Sequence, residues 1–391
     1  MTILLHDGRR PGHLGWLKET VTAGLAGGAI LNPFCTPPVS VPRHPSAQNV
    51  IADLRGGSIF EEIGPEILFD SATWAATLPS TDQWEVYDQW PLWPHHTRGD
   101  LRDADAIADH VRGVFAIQSD LDVPFLAPTV AVDSPTGQTA ATALELAAES
   151  IRQQRGCILT ICGVNSFWRA GPALDAFMGK VARLRPKAYY VIPLRDRSGY
   201  PADLTDADAI AGWLRSIHSL ALRSRVVAGY TDYLGIIAAA AGADTVGTGW
   251  DQGQRVCNPD SFRGTEPGGK NVNYSPHPAL LARFTETTAR GLHDLAPKFA
   301  ETMRWGEPIP ADMREHREQH LSALRKQVAS VLKSGPLHTD RFAEVHRMFV
   351  GADLSWNHAI ALRSKDVGRR EKAMWLEGMR SGFEAYVRAE R

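Results

Sequence analysis

The chain has few cysteines, and none of them has a metal-binding spacing. It contains Cys35, Cys157, Cys162 and Cys257, and no two of these form a C-x-x-C pair. Neither a disulfide framework nor a thiolate zinc site is therefore expected. Cys157 and Cys162 enclose the apolar run ILTI, which is typical of a buried strand. We predict that the cysteines are buried free thiols.

Four further features are absent from the sequence, and each absence argues against a class of protein. No apolar run reaches the roughly 20 residues that cross a bilayer, and the first residues lack the apolar core of a signal peptide. The net charge of −2 gives no general attraction to nucleic acids or anionic membranes. No G-x-G-x-x-G motif follows a predicted strand, which argues against a dinucleotide-binding open sheet. We therefore expect a cytoplasmic protein with no membrane segment.

Short apolar runs alternate with helical patterns through most of the first 290 residues. The predicted strands are 29–34, 66–70, 124–130, 157–162, 188–193, 225–229 and 243–247. The predicted helices between them include 139–155, 172–185 and 207–223. Strict alternation predicts an α/β fold, and short strands that are apolar throughout predict a parallel sheet covered on both faces. We expect a TIM-like (β/α) barrel, complete or slightly degenerate, with an open doubly wound sheet as the alternative.

A complete barrel needs an eighth strand, and two segments compete for it. The aromatic run WEVYDQW at 84–90 alternates in polarity, which would make RVVAG and ADTVG strands seven and eight. The other candidate is NVNYS at 271–275. The aromatic segment could also stack on a ligand, although packing of a long loop against the barrel is the favoured interpretation.

The pattern changes after residue 290, where long polar amphipathic helices follow one another. We therefore divide the chain into a barrel at 1–290 and a helical C-terminal region at 291–391. This region carries a small excess of basic residues, which usually marks a solvated face or a dimerisation surface. Nucleic-acid contact is a less favoured alternative, and it would use Arg363, Lys365, Arg369, Arg370 and Lys372. His316 and His320 share one helix face, but without a third ligand a solvated face is expected rather than a zinc site.

Candidate catalytic residues are the carboxylates that follow predicted strands, because barrel active sites lie at the carboxyl ends of the strands. Asp70 directly follows the apolar run EILF and could act as a general base if partial burial raises its pKa. Asp196 follows the strand at 188–193 and is the second candidate. The alternatives are a turn cap or an ion pair at Asp70 and an exposed turn at Asp196.

Two glycine-containing turns near residue 240 predict a phosphate-binding site. Gly229 ends one strand and Gly247-Thr248-Gly249 ends the next, so backbone could approach a phosphate closely at both places. A guanidinium such as that of Arg255 could hold the anion. The other predicted ligand-binding residues at strand ends are Asn32, Asn165, Arg195 and Tyr230. A tight barrel corner without a ligand is the alternative.

The segment GYTDYLGIIAAAAGADTVGTGW resembles the phosphate-binding end of barrels that use flavin mononucleotide, such as nitronate monooxygenases. The matching positions are Gly229, Gly242, Ala243, Asp244, Val246, Gly247 and Thr248. The resemblance implies that a phosphate lies at these turns and that flavin mononucleotide is a possible cofactor.

A weaker resemblance links FDSATW to the tRNA-guanine transglycosylase superfamily, in which a strand ending in Asp-Ser-Gly places a base-binding aspartate. Asp70 and Ser71 match that motif. The family's nucleophilic aspartate would fall on Gly247, and its Cys/His zinc site is absent here. The resemblance therefore implies a nucleoside or base site without the covalent mechanism.

These observations predict an enzyme that binds a phosphate-bearing small molecule at the carboxyl ends of its strands, and they leave the reaction open. The first alternative is a nucleoside- or nucleic-acid-modifying enzyme that uses Asp70 and the basic tail. The second alternative is a ligand-binding or assembly module without catalysis. Oligomers could form through the C-terminal helices.

Overall fold

The computed structural model describes the chain at residues 2–8, 12–41, 44–56, 64–77, 85–195, 204–258, 272–364 and 367–390. The chain forms two compact units, and each consists of three separate segments of the chain. The barrel unit comprises Met1–Ser198, Arg215–Thr231 and Gly242–Arg263. The helical unit comprises Gly199–Leu214, Asp232–Ala241 and Gly264–Arg391. The division at residue 290 stays a prediction.

Eight parallel strands form one sheet in the barrel unit, in the order β3-β2-β1-β8-β7-β6-β5-β4. They are β1 (Thr2–His6), β2 (Gly28–Leu31), β3 (Glu66–Phe69), β4 (Ala131–Val132), β5 (Ile158–Gly163), β6 (Ala188–Pro193), β7 (Arg225–Ala228) and β8 (Thr245–Gly249). Apart from β3 and β4, strands that follow one another along the chain are neighbours in the sheet, and β1 pairs with β8, as in a TIM barrel. In the described part of the chain no ladder joins β3 to β4. The predicted α/β fold is confirmed as a degenerate TIM-like barrel.

Helices separate the strands along the chain, as the alternating pattern predicts. They are α1 (His13–Thr22), α2 (Ala47–Gly56), α3 (Ala104–Asp120), α4 (Gln138–Gln153), α5 (Asn165–Trp168), α6 (Pro172–Arg183), α7 (Ala207–Ala221), α8 (Leu234–Ala240) and α9 (Gln252–Arg255). Each of the longer ones buries an apolar stripe, such as Leu146 on α4 or Phe177 on α6. The Asp103 carboxylate caps α3 by accepting the N–H groups of Asp105 and Ala106.

The eighth strand is the N-terminal β1, and neither candidate from the sequence occupies its place. Residues Glu85–Asp88 of the aromatic segment form a 3₁₀ turn, so their alternation reflects burial of Tyr87 and Trp90 and not a strand. Residues Tyr274–His277 do form a strand, but it pairs with Ala282–Thr285 in a separate hairpin. The assignment of RVVAG and ADTVG to strands seven and eight is confirmed.

The predicted fourth strand at 124–130 is wrong, because β4 is a two-residue strand that begins after it at Ala131, and the sheet is open beside it. Pro124 and Pro128 lack the N–H that a ladder needs, so the segment makes one isolated bridge at Leu126 before β4 begins. The side chain of Gln118, on α3, bridges the opening. Its amide N–H₂ donates to the carbonyls of Phe69 and Leu126 at 2.9 Å each, and its amide oxygen accepts the N–H of Leu126 at 3.0 Å.

The helical unit contains a hairpin and the predicted C-terminal helices. Strands β9 (Tyr274–His277) and β10 (Ala282–Thr285) are antiparallel, and helices α10 (Glu286–Leu295), α11 (Pro297–Met303), α12 (Met313–Lys333), α13 (His338–Ala361), α14 (Arg369–Lys372) and α15 (Gly378–Ala389) follow. Trp356 of α13 is fully buried, and its indole N–H donates to the carbonyl of Leu280 at 2.9 Å. None of the described helices is long and apolar enough to cross a membrane.

The predicted solvated face at His316 and His320 is wrong. The two residues are 1% and 2% exposed, so this face of α12 packs inside the helical unit. His320 Nε2 lies 2.8 Å from a carboxylate oxygen of Asp232, whose other oxygen accepts a hydrogen bond from Arg283 at 2.5 Å. This helix face therefore belongs to a buried ionic cluster and does not face water, although its sequence neighbours are charged.

The cysteines are free, and Cys157, Cys162 and Cys257 are buried. Burial raises the pKa of each of these three thiols, so they are protonated and poorly nucleophilic at neutral pH. The prediction of buried free thiols is confirmed for these three residues. Cys35 is partly exposed.

Candidate active site

Asp70 lies at the carboxyl end of β3, and its carboxylate is buried. One carboxylate oxygen accepts the backbone N–H of Ala72 at 2.8 Å, and the other accepts the indole N–H of Trp74 at 3.3 Å. Both hydrogen bonds favour the ionised form, but burial outweighs them and raises the pKa of Asp70 to about 6. A carboxyl group with this pKa can both accept and donate a proton near neutral pH.

His6 ends β1 and is fully buried. Its Nε2 accepts the backbone N–H of Tyr230 at 2.9 Å, and its ring stacks on that of Tyr230 with centroids 3.8 Å apart. Burial, assisted by the charge of His13, lowers the pKa of His6 to about 3. The ring is therefore neutral at physiological pH. Because Nε2 is the acceptor, the single ring proton belongs on Nδ1.

Five buried side chains form one group, which we call the barrel cluster: Asp70, Trp74, Tyr230, His6 and Tyr190. Trp74 donates to Asp70 and meets the ring of Tyr230 edge-on with centroids 6.5 Å apart. Tyr230 stacks on His6, whose ring centroid lies 6.5 Å from that of Tyr190. The charge of Asp70 is the second cause, after burial, of the raised pKa of Tyr190. The cluster joins side chains from β1 and β6 and from the turns after β3 and β7.

Two members of the turns around this cluster hold a left-handed backbone that non-glycine residues seldom adopt. The φ angles are 53° at Ala72 and 51° at Tyr230. Such a conformation costs about 1–2 kcal/mol per residue, and strain of this kind concentrates at functional sites. In each case the strained residue turns its N–H onto a titratable side chain, Asp70 or His6. Tyr87 supports the first turn by donating its hydroxyl to the carbonyl of Ala72 at 2.6 Å.

Protein side chains fill the space above the glycines of the predicted phosphate site. A Cβ on Gly229 would lie 2.4 Å from a ring carbon of Tyr190, and one on Gly247 would lie 2.6 Å from His6 Nε2. A Cβ on Gly249 would lie 2.2 Å from the Cβ of Gln254. The lack of a side chain at these glycines therefore leaves room for Tyr190, His6 and Gln254 to pack against the backbone.

The backbone N–H groups of the turn after β7 donate to protein acceptors. Their partners are the carbonyl of Val191 for Gly229 at 2.9 Å, His6 Nε2 for Tyr230 at 2.9 Å and the carbonyl of Gly247 for Thr231 at 2.7 Å. A phosphate cradle needs N–H groups that point at the ligand. The turn does not fit the flavin phosphate site that the resemblance implies. Phosphate binding at Gly229, Tyr230, Gly247 and Gly249 stays a prediction from the sequence.

The two predicted arginines are buried and bound to protein groups. The Arg255 guanidinium donates to the carbonyls of Gly249 at 2.7 Å and Trp250 at 3.0 Å, so it fastens the turn after β8. Arg195, two residues after the end of β6, approaches the side-chain oxygen of Asn165 at 3.4 Å. These two residues form a pair of polar side chains near the ends of β5 and β6.

The remaining predicted residues have separate surroundings. The Asn32 side-chain oxygen accepts the N–H of Phe34 at 3.1 Å and shapes the turn after β2. Thr248 is buried on β8, and within the described part of the chain its hydroxyl has no hydrogen-bond partner. Asp196 lies outside the described residues. The described residues contain no group of three or more His, Cys, Asp or Glu side chains able to hold a metal ion.

Comparison with protein-family models, curated proteins and solved structures gives no match to this chain. The resemblances to flavin barrels and transglycosylases therefore rest on their sequence motifs alone.

His6, Trp74 and Tyr190 are the cluster members that were not among the predicted site residues. TILLH is a short apolar run at the start of the chain, and it ends in His-Asp-Gly, which is a strand-end signal of the kind that selected Asp70. Tyr190 lies within its strand and gives no such signal. Only the curvature of the sheet brings it next to residues from β1 and β7.

Proposed function

We propose that the protein is an enzyme that acts on a small molecule at the carboxyl ends of the barrel strands, with Asp70 as its general acid and base. The observation that carries the proposal is the buried Asp70 carboxyl, whose pKa of about 6 suits proton transfer near neutral pH. The strained turns at Ala72 and Tyr230 support it, because each directs an N–H onto a titratable side chain of the cluster.

A phosphate on the small molecule is part of this proposal. Three predicted ligand residues have side chains that suit an anion: Thr248 offers a hydroxyl, and Arg195 and Asn165, which contact each other, offer a guanidinium and an amide. Flavin is left out of the proposal, because the N–H groups after β7 are bound within the protein.

A ligand screen tests the proposal. We expect one of a panel of sugar phosphates, nucleotides and inorganic phosphate to raise the melting temperature of the wild-type protein. Asp70→Asn, which keeps the shape of the side chain, should still bind that ligand but should lose turnover by about a hundredfold or more. Native mass spectrometry of freshly purified protein gives an independent view of any ligand that copurifies.

Two results would contradict the proposal. One is a carbon NMR titration in which the Asp70 carboxyl has an ordinary pKa near 4, because such a carboxylate would be a weak proton acceptor at neutral pH. The other is a ligand that binds and is converted equally well by the wild type and Asp70→Asn. Binding without conversion by either protein would favour a ligand-binding module.

A further inference from the structure

Ala72 is a strained residue on which both hydrogen bonds to Asp70 depend. Its φ angle is 53°, in the left-handed region that residues with a Cβ seldom adopt. Its own N–H donates to one carboxylate oxygen of Asp70 at 2.8 Å. The chain then enters the 3₁₀ helix Thr73–Thr77, which carries Trp74, the donor to the other carboxylate oxygen at 3.3 Å. The conformation of Ala72 therefore determines whether the carboxylate keeps its two donors.

The carbonyl of Ala72 accepts two hydrogen bonds. One comes from the N–H of Ala75 at 3.0 Å, within the 3₁₀ helix itself, and the other comes from the hydroxyl of Tyr87 at 2.6 Å. Tyr87 lies 15 residues further along the chain, so it holds the strained turn from outside. A strained backbone persists only where the surrounding contacts impose it, and the Tyr87 hydroxyl is such a contact.

The ring of Tyr87 is fixed by its own neighbours, so its hydroxyl is a rigid donor. Phe34 and Trp93 meet the ring edge-on, with centroids 5.5 Å and 6.0 Å away. The guanidinium carbon of Arg98 lies 4.9 Å from the ring centroid, which is the distance of a cation–π contact. The aromatic segment that follows β3 therefore reaches the candidate site through one hydroxyl group.

We propose that Tyr87 is a positioning residue for Asp70 and that it acts through the left-handed turn at Ala72. This inference rests on the proposed function, in which Asp70 is the general acid and base. Without the Tyr87 hydroxyl the turn is free to relax, and the carboxylate then loses part of its hydrogen bonding. Because both donors favour the ionised form, their loss raises the pKa of Asp70 further. Asp70 then becomes a base only at higher pH.

Tyr87→Phe tests the inference without knowledge of the substrate, because the readout is the carboxyl group itself. A carbon NMR titration compares the pKa of Asp70 in the wild type and the variant. We expect an upward shift of about one pKa unit, as the weakening of a hydrogen bond to a charged group requires. With a ligand from the screen that the protein converts, the acidic limb of the pH–rate profile should move upward by the same amount.

Tyr233→Phe is the matched control. The Tyr233 hydroxyl is also buried and donates to a backbone carbonyl, that of Ala282, at 3.0 Å. Both of these residues belong to the helical unit, whereas Asp70 belongs to the barrel unit. The two substitutions therefore remove the same kind of hydrogen bond from different units. Tyr233→Phe should leave the pKa of Asp70 unchanged.

Ala72→Gly separates positioning from general damage to the fold. Glycine adopts the left-handed region without strain, so the turn no longer needs the Tyr87 hydroxyl to hold it. In the Ala72→Gly background, Tyr87→Phe should shift the pKa of Asp70 much less than it does in the wild type. If Tyr87→Phe alone does not fold, the double variant decides, because glycine restores folding only where the missing bond acts through the strain at residue 72.

Two outcomes would overturn the inference. One is a pKa of Asp70 that is unchanged in Tyr87→Phe, or that Tyr87→Phe and Tyr233→Phe shift equally. The other is a shift that persists undiminished in the Ala72→Gly background, or a double variant that does not fold. In either case a loss of turnover in Asp70→Asn would still support the proposed function. An ordinary pKa of Asp70 in the wild type would contradict the proposed function alone, even if Tyr87→Phe raised it.

Discussion

The imidazole of His6 accepts the backbone N–H of Tyr230 and stacks on the ring of the same residue. This double contact joins the first strand of the sheet to the turn after the seventh. It stabilises a left-handed tyrosine backbone, and it determines which nitrogen of the histidine carries the proton. The pair thus determines both the backbone conformation of Tyr230 and the position of the proton on His6.

The burial of Asp70 gives the stability of the protein a distinctive pH dependence. Burial raises the pKa of Asp70 from the ordinary 3.8 of an aspartate in water to about 6, so the folded state binds more protons between these values. Stability is therefore lost as pH rises through this window, by about 3 kcal/mol in total. Urea unfolding of the wild type and Asp70→Asn should show their difference changing by this order between about pH 4 and pH 7. Asp53→Asn, at an exposed position, is the control and should follow the wild type.

Replacing Gly247 with alanine should destabilise the protein. The added methyl group would meet His6 Nε2 at 2.6 Å and the Cα of Gly229 at 3.2 Å, and neither group can move without disturbing the barrel cluster. We expect a loss of about 1–3 kcal/mol in the free energy of unfolding. Gly15→Ala is the comparison, because a Cβ there has nothing within 4 Å and lies on helix α1. It should be neutral or stabilising, and equal effects at the two glycines would contradict the packing described.

The Gln118 amide should contribute more to the free energy of unfolding than a glutamine with fewer hydrogen bonds does. Gln118→Leu keeps the approximate volume but leaves the carbonyls of Phe69 and Leu126 and the N–H of Leu126 without their partner. We expect a loss of about 3 kcal/mol or more. The control is Gln153→Leu, at a half-buried site where the amide bonds the carbonyl of Ala108. Its cost should stay near or below about 1 kcal/mol by denaturant unfolding.

The ionic cluster of the helical unit gives a fourth test. Asp232→Asn removes the charge that faces Arg283 and His320, and Arg283 is 1% exposed. A buried cation that loses its carboxylate typically costs about 3–5 kcal/mol. Glu286→Gln, in the more exposed pair with Arg290, should cost less than about 1 kcal/mol. Thermal unfolding of the full chain compares the two, and a cost below that of Glu286→Gln would show that Asp232 contributes little.

The sequence predicted the elements whose signals are local. The apolar strands β5 to β8 and the helices between them follow from short-range patterns, and the structure contains them. Asp70 was found because it directly follows a buried strand. Two elements were mispredicted. Strand β1 was missed, although at five residues it is no shorter than strands that were predicted. The prolines near Leu126 shorten a strand that its apolar residues favour.

The candidate site also combines residues with local sequence signals and residues that only distant contacts bring together. His6 and Tyr230 are distant in the chain, and nothing in either segment indicates the other. The glycines at 229 and 247 were recognised as sites of close approach, but the sequence could not show that the approaching atoms belong to Tyr190 and His6. The burial of His316 and His320 was also not predicted. Both have charged neighbours in the sequence, and the contact of His320 with Asp232 joins positions far apart in the chain.

The pairing of β1 with β8 also bears on how the molecule folds. Leu4 is in register with Gly247, so one edge of the first strand has no partner until nearly two thirds of the chain has been synthesised. Pairing over such a distance closes a long loop late and slows folding. During synthesis β1 can pair only with β2, and His6 reaches Tyr230 only when the sheet curls. The candidate site therefore cannot form before β7 and β8 have been synthesised, although its first residue lies at the start of the sheet.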